Sequence, residues 1–193
     1  MSDIFISYLK LGFEHIVDVN GFDHLLFVIT LCAVYQFTEW RKIAIVITAF
    51  TVGHSVTLAL AAQKIIVPNR YLVEILIPVT ILIRGVFNIV SLKIKLNNVK
   101  LYIKYFLALF FGLIHGMGFS NFFINLMGDA VNIVYPLFSF NVGIEFGQLF
   151  IIFIYYLLVY FTIKMLKISQ QNIAWFFSTL AIFVSIFLIY NRI

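Results

Sequence analysis

The sequence predicts an all-α, polytopic integral membrane protein: about six transmembrane helices preceded by a short interfacial N-terminal helix. Three observations predict it. Of 193 residues, 63% are hydrophobic and 11% charged, with a mean hydropathy of +1.08, whereas soluble domains are about a quarter charged. The apolar residues fall in continuous runs near the ~20 residues that a bilayer requires. The Lys and Arg residues gather in the short loops between those runs. A soluble fold of this size has too little interior for 23 Phe and a comparable load of Ile and Leu, and its surface would be apolar.

Residues 1–20 come first. Ile4, Phe5, Tyr8, Leu9, Leu11, Phe13 and Ile16 recur at helical spacing among polar residues, which predicts a short helix lying on the bilayer surface. Asp3, Lys10, Glu14, His15 and Asp18 interrupt the segment, so no cleavable signal peptide is expected. The spans follow at about 21–38, 42–63, 70–92, 101–126, 139–163 and 172–190, in a single membrane domain over 1–193. They are helices, because in lipid only helices and closed barrels satisfy the backbone, and a barrel would show short alternating strands. Pro136 is expected to end a re-entrant or loop stretch ahead of span five. Pro78 is placed to kink span three.

The net charge of +5 and pI of 9.3 do not indicate nucleic acid as a partner. Arg41, Lys42, Lys93, Lys95, Lys100, Lys104, Lys164 and Lys167 lie in or beside loops one, three and five. Lys10, Lys64, Arg70 and Arg192 lie on the other side. This bias places the first group in the cytoplasm and both termini outside. Arg84, alone in the inner half, is expected to snorkel toward the cytoplasmic headgroups. Cys32 is the sole cysteine, which rules out an intrachain disulfide and suits a small packing residue.

The remaining polar groups are costly in lipid and need partners. Counting ~1.5 Å per residue puts Asp23, His24, His54, Glu74, His115, Asn141 and Glu145 in the outer half of the spans. His15 lies just before them on the interfacial segment. One buried site is therefore expected, with His15, Asp23, His24, His54, His115 and Glu145 as metal ligands and Ser55, Glu74, Asn141 and Gln148 as supporting groups. Asn141, Glu145 and Gln148 form one polar stripe at i, i+4 and i+7. Gly143 and Gly147 let a neighbouring helix approach. Gly112, Gly116 and Gly118 around His115 read as tight packing or a local break. Imidazole with carboxylate suits nickel, cobalt, zinc or ferrous iron, while soft Cu⁺ is disfavoured because Cys32 and Met117 stand alone. No His-Glu-x-x-His run, phosphate-binding glycine loop or Gly-x-Ser-x-Gly elbow is present.

Four blocks carry a family resemblance. They are Glu14-His15-Ile16 with Gly21-Phe22-Asp23-His24-Leu25-Leu26-Phe27, then Ala49 to Leu58 around Gly53-His54-Ser55, Gly112-Leu113-Ile114-His115-Gly116-Met117-Gly118-Phe119, and Phe140 to Leu149 around Gly143-Ile144-Glu145. With these the chain resembles the HupE/UreJ family through span five. The resemblance implies a polytopic inner-membrane protein whose histidines bind nickel or a related divalent metal. Some family members are regarded as nickel or cobalt permeases serving hydrogenase or urease maturation.

Two functions compete. In a divalent metal-ion permease, the outer cluster captures and dehydrates an ion from the nickel, cobalt and zinc group and releases it inward. In an intramembrane metal-dependent hydrolase, a metal-bound water attacks a lipid or membrane-embedded substrate, with Glu145 or Asp23 as general base and Ser55 as a substrate donor. A third reading leaves the cluster as structural glue between helices. The expected partners are the lipid bilayer and the divalent ion, with homo-oligomerisation open.

Overall fold

A computed structural model describes residues 2–94, 101–127 and 133–193. Those residues form α1 (Ser2–Val17), α2 (Phe22–Cys32), α3 (Trp40–Ala62), α4 (Arg70–Ile94), α5 (Leu101–Met127), α6 (Val134–Leu166) and α7 (Gln170–Arg192), with short 3-10 turns before α2 and α3. Helices α3 to α7 are long and apolar enough to cross a membrane. The pair α1 and α2, bent by 76° at its break, makes a sixth passage if counted as one broken span. The fold is thus the all-helical, polytopic one expected. Lys95 and Lys100 in the third loop, and the start of the fourth loop from Gly128, lie outside the described residues.

Glycines set the pairing of these helices. A Cβ on Gly12 would meet the Phe140 carbonyl oxygen at 2.0 Å, and one on Gly143 would meet that of Leu9 at 2.0 Å. The backbones of α1 and α6 are therefore in contact, as small residues in membrane helices permit. Contacts ascend together along both helices, from Phe5 with Tyr135 to Phe13 with Phe150, so α1 runs parallel to α6. Helices α3 and α5 are joined the same way. A Cβ on Gly53 would meet Leu109 O at 2.1 Å, and one on Gly112 would meet Phe50 O at 2.1 Å. Thr57 Oγ1 adds a 2.8 Å hydrogen bond to Leu113 O.

Several local features differ from the sequence expectation. The amphipathic N-terminal helix is present, but it is docked lengthwise on α6, with Ile16 wholly buried. The first apolar run is helical only over 11 residues in α2, ~16 Å of rise, and its remainder turns back toward α3. Pro136 does not precede α6; it lies in its first turn, where a missing N–H costs nothing. Helix α6 therefore starts earlier than the span at 139, and Glu145 lies about three turns in rather than two. Pro78 in α4 removes the N–H that would serve Glu74 O, and Arg192 Nη1 donates to that carbonyl instead. Arg192 also lies 3.9 Å from Asp23 Oδ2. The end of α7 thus meets the start of α4, and the start of α1 meets the start of α6. Both termini share one end of the bundle.

Candidate metal centre

Four imidazoles converge in that half of the bundle. His15 ends α1, His24 begins α2, His54 lies on α3 and His115 on α5. The ring centres of His15 and His24 are 4.7 Å apart, those of His15 and His54 5.9 Å, and those of His24 and His115 5.4 Å. Imidazoles that share one tetrahedral ion through ~2.0 Å metal–nitrogen bonds have centres about 5 Å apart. His54 and His115 are completely buried and His24 is 9% exposed. The glycine contacts produce this convergence. Gly116 presses on the backbone of His54, bringing α5 and its His115 against α3. Gly12 and Gly143 press α1 onto α6, and α1 carries His15 inward.

The free nitrogens of this cluster are the ones a cation needs. His24 Nδ1 lies 3.1 Å from Asp23 Oδ1, so that nitrogen carries the proton and Nε2 keeps its lone pair. Thr80 Oγ1 donates to Ile77 O at 2.7 Å and lies 3.0 Å from His115 Nε2. Its single proton is spent on the carbonyl, so His115 Nε2–H donates to it and His115 Nδ1 keeps a lone pair. The atoms without any partner are His15 Nε2, His24 Nε2, both nitrogens of His54 and His115 Nδ1. Buried polar atoms are nearly always hydrogen-bonded, so these five ring nitrogens, of which one of the two on His54 carries that ring's proton, stand out as unpaired in the protein. Among the described residues no three His, Cys, Asp or Glu side chains converge as they stand on one ion position. Closing on an ion therefore requires the rings to turn, and the second torsion of histidine is broad.

The expected supporting residues divide. Asp23 stays with the cluster through His24. Glu145, an expected ligand, does not join it. Its Oε1 accepts from Thr48 Oγ1 at 2.6 Å, tying α6 to α3. Gln148 Oε1 accepts from Thr51 Oγ1 at 2.9 Å in the same seam. Asn141 Nδ2 bonds Leu137 O at 2.7 Å within its own helix, and its Oδ1 is buried without a partner. Ser55 Oγ bonds Thr51 O at 2.7 Å, the usual backbone bond of Ser in membrane helices. Glu74 is held by Arg70 at 2.7 Å at the exposed start of α4. Arg84 does not snorkel: it is 1% exposed and donates to Leu31 O at 2.8 Å.

Sequence reading missed the aromatic cover. Phe119 lies with its ring centre 3.8 Å from that of His15 and stacks on Phe140 at 5.0 Å and 10°. Beyond it opens a cavity of about 440 Å³ lined by Leu11, Glu14, His15, Asp18, Phe119 and neighbouring apolar residues. The position of Phe119, four residues after His115 and hence on the same helix face, was the available signal.

Fold and site together define a polytopic helical membrane protein with a buried histidine cluster near one end of its bundle. No curated protein and no solved structure matches the chain. The family model described as HupE / UreJ protein matches residues 1–191, and the chain belongs to that family.

Proposed function

We propose that the protein is a divalent metal-ion permease of the nickel and cobalt class, with the metal as cargo. The observation that carries this reading is the set of five unpartnered buried nitrogens on four imidazoles from four helices, three of the rings being buried. Neutral imidazole is the donor that nickel, cobalt and zinc favour. Membership of the HupE/UreJ family supports nickel or cobalt over zinc. Glu14 and Asp18 at the cavity mouth would draw a cation inward, and Phe119 would have to swing aside to admit it. The charge bias of the loops supports an outward-facing mouth in an inner membrane.

The hydrolase reading has less support. Ser55, its substrate donor, is committed to its own backbone, and Glu145, one of its two bases, is committed to Thr48. Two measurements test the permease. Purified protein dialysed against Ni²⁺ should retain the metal by elemental analysis, and proteoliposomes should accumulate it. His54→Ala should lose both. Retention without accumulation would leave a metal-binding protein that is not a permease. A folded wild-type chain that holds no metal would end the reading.

A further inference from the structure

The half of the bundle away from the termini holds no imidazole, yet an ion leaving the cluster has to cross it. The carboxyl end of α2 lies there. This helix stops at Cys32 inside the bundle, where its last carbonyls run out of intrahelical donors and carry the negative end of the helix dipole, the backbone N–H of Tyr35 serving Cys32 O at 3.0 Å. Side chains from three other helices serve them. Asn88 Nδ2 donates to Thr30 O at 2.7 Å and Arg84 Nη2 to Leu31 O at 2.8 Å. The Tyr156 hydroxyl reaches Cys32 O at 3.2 Å and Tyr35 O at 2.9 Å. Gln170 Nε2 donates to Tyr35 O at 2.7 Å.

Arg84 is the one charged member of this ring of donors. No carboxylate pairs with it among the described residues, and its Nε has no partner. Asn88 Oδ1 and the hydroxyls of Tyr35 and Tyr155 are likewise buried and unpartnered. A charged group at this depth is expensive and is ordinarily retained for function. A neutral donor is enough to cap such a carbonyl, as Asn88 and Tyr156 do beside it.

We propose that the carboxyl end of α2 is a second, weaker cation station, and that Arg84 is the tethered cation filling it while no ion is there. The proposal rests on the cation-transport reading and supplies its missing inner half. Backbone carbonyls and half-helix carboxyl ends serve cations in other discontinuous membrane helices. Carbonyl oxygen is a harder donor than imidazole and holds late divalent metals less well, which suits release, since a conducting site must let its ion leave. An arriving ion takes the lone pairs of Leu31 O and its neighbours as Arg84 withdraws. The returning guanidinium then closes the path to other cations.

Equilibrium dialysis of the detergent-purified full chain against Ni²⁺, with bound metal counted by elemental analysis, tests this. Wild type should hold one ion per chain, held by the imidazoles, and Arg84→Gln should hold two. Arg84→Gln combined with His54→Ala and His115→Ala should hold one, and Arg84→Lys should match wild type. A folded Arg84→Gln that binds no more ions than wild type overturns the station. A wild type that binds none overturns the transport reading instead, and an ion gained by Arg84→Gln would still uphold the station. If the Arg84 variants do not fold, Cys32 of the unaltered chain reports on the same site. Its thiol is fully buried beside the Leu31 carbonyl, and its reaction with a small maleimide should quicken several-fold during Ni²⁺ flux. An unchanged labelling rate overturns the station.

Discussion

The ring of His24 lies 4.7 Å from that of His15 across the break between α1 and α2, and the Asp23 carboxylate holds it there. That contact makes the bent pair part of the site. Neither α1 nor α2 is positioned to bring both rings together if the segment runs as one straight helix, because residues nine apart lie ~13 Å apart along an axis. Asp23→Asn should therefore weaken Ni²⁺ binding by about 10–100-fold, the usual cost of losing the group that orients a ligating histidine. Titration calorimetry on the purified variant would read it. An unchanged affinity would mean that the tautomer of His24 is set by something other than Asp23.

Removal of a ring should cost more than removal of its orienting partner. His54 is completely buried and has two unpartnered nitrogens, so His54→Ala removes a donor without leaving a neighbour unsatisfied. Its loss is expected to reduce Ni²⁺ affinity by about 100-fold, or ~2.8 kcal/mol at ~1.4 kcal/mol per tenfold. Thermal stability should stay near or above that of wild type, since an unsatisfied buried imidazole is a burden on the fold. A variant that loses affinity only as it loses stability would make the ring structural.

The sequence and the structure part over Glu145. Helical spacing placed Asn141, Glu145 and Gln148 on one stripe, and they do share a seam, but periodicity does not say what the stripe meets. It meets Thr48 and Thr51 of α3. Glu145→Gln should consequently leave Ni²⁺ affinity within about twofold of wild type, because an amide still accepts from Thr48. A tenfold loss would restore Glu145 to the ligand set.

Much else was legible for a physical reason. A hydrocarbon core ~30 Å thick fixes span length, so α3, α4, α5 and α7 fall within about two residues of their expected ends. Counting depth along those spans put three of the four imidazoles in the same half of the bilayer, and His15 was placed beside them from its position in the chain. What depth does not give is lateral packing. The run at 21–38 reads as uniformly apolar, so nothing in it shows that α2 ends at Cys32 inside the bundle. For the same reason Arg84 looked free to reach headgroups, whereas it meets the carbonyl end of a helix that residue counting had drawn as continuous. Glu74 was expected to support the site, but Arg70 four residues earlier, at the spacing where helix side chains pair, holds its carboxylate at the exposed start of α4.

The glycine contacts give a stability test independent of metal. At Gly12 an added methyl would sit 2.0 Å from the Phe140 carbonyl oxygen, and backbone of a paired helix has no rotamer through which to yield. Gly12→Ala should force α1 off α6, costing about 1–3 kcal/mol as overpacking usually does, and should also displace His15 from the other rings. Gly21→Ala is the control. There the nearest atoms to a new Cβ are 3.9 and 4.0 Å away, and the backbone has φ −92°, which any residue accepts. Thermal unfolding in detergent should therefore shift down for Gly12→Ala and stay put for Gly21→Ala. Equal melting of the two would mean that α1 is not clamped to α6, and the convergence of His15 with His24 and His54 would lose its cause.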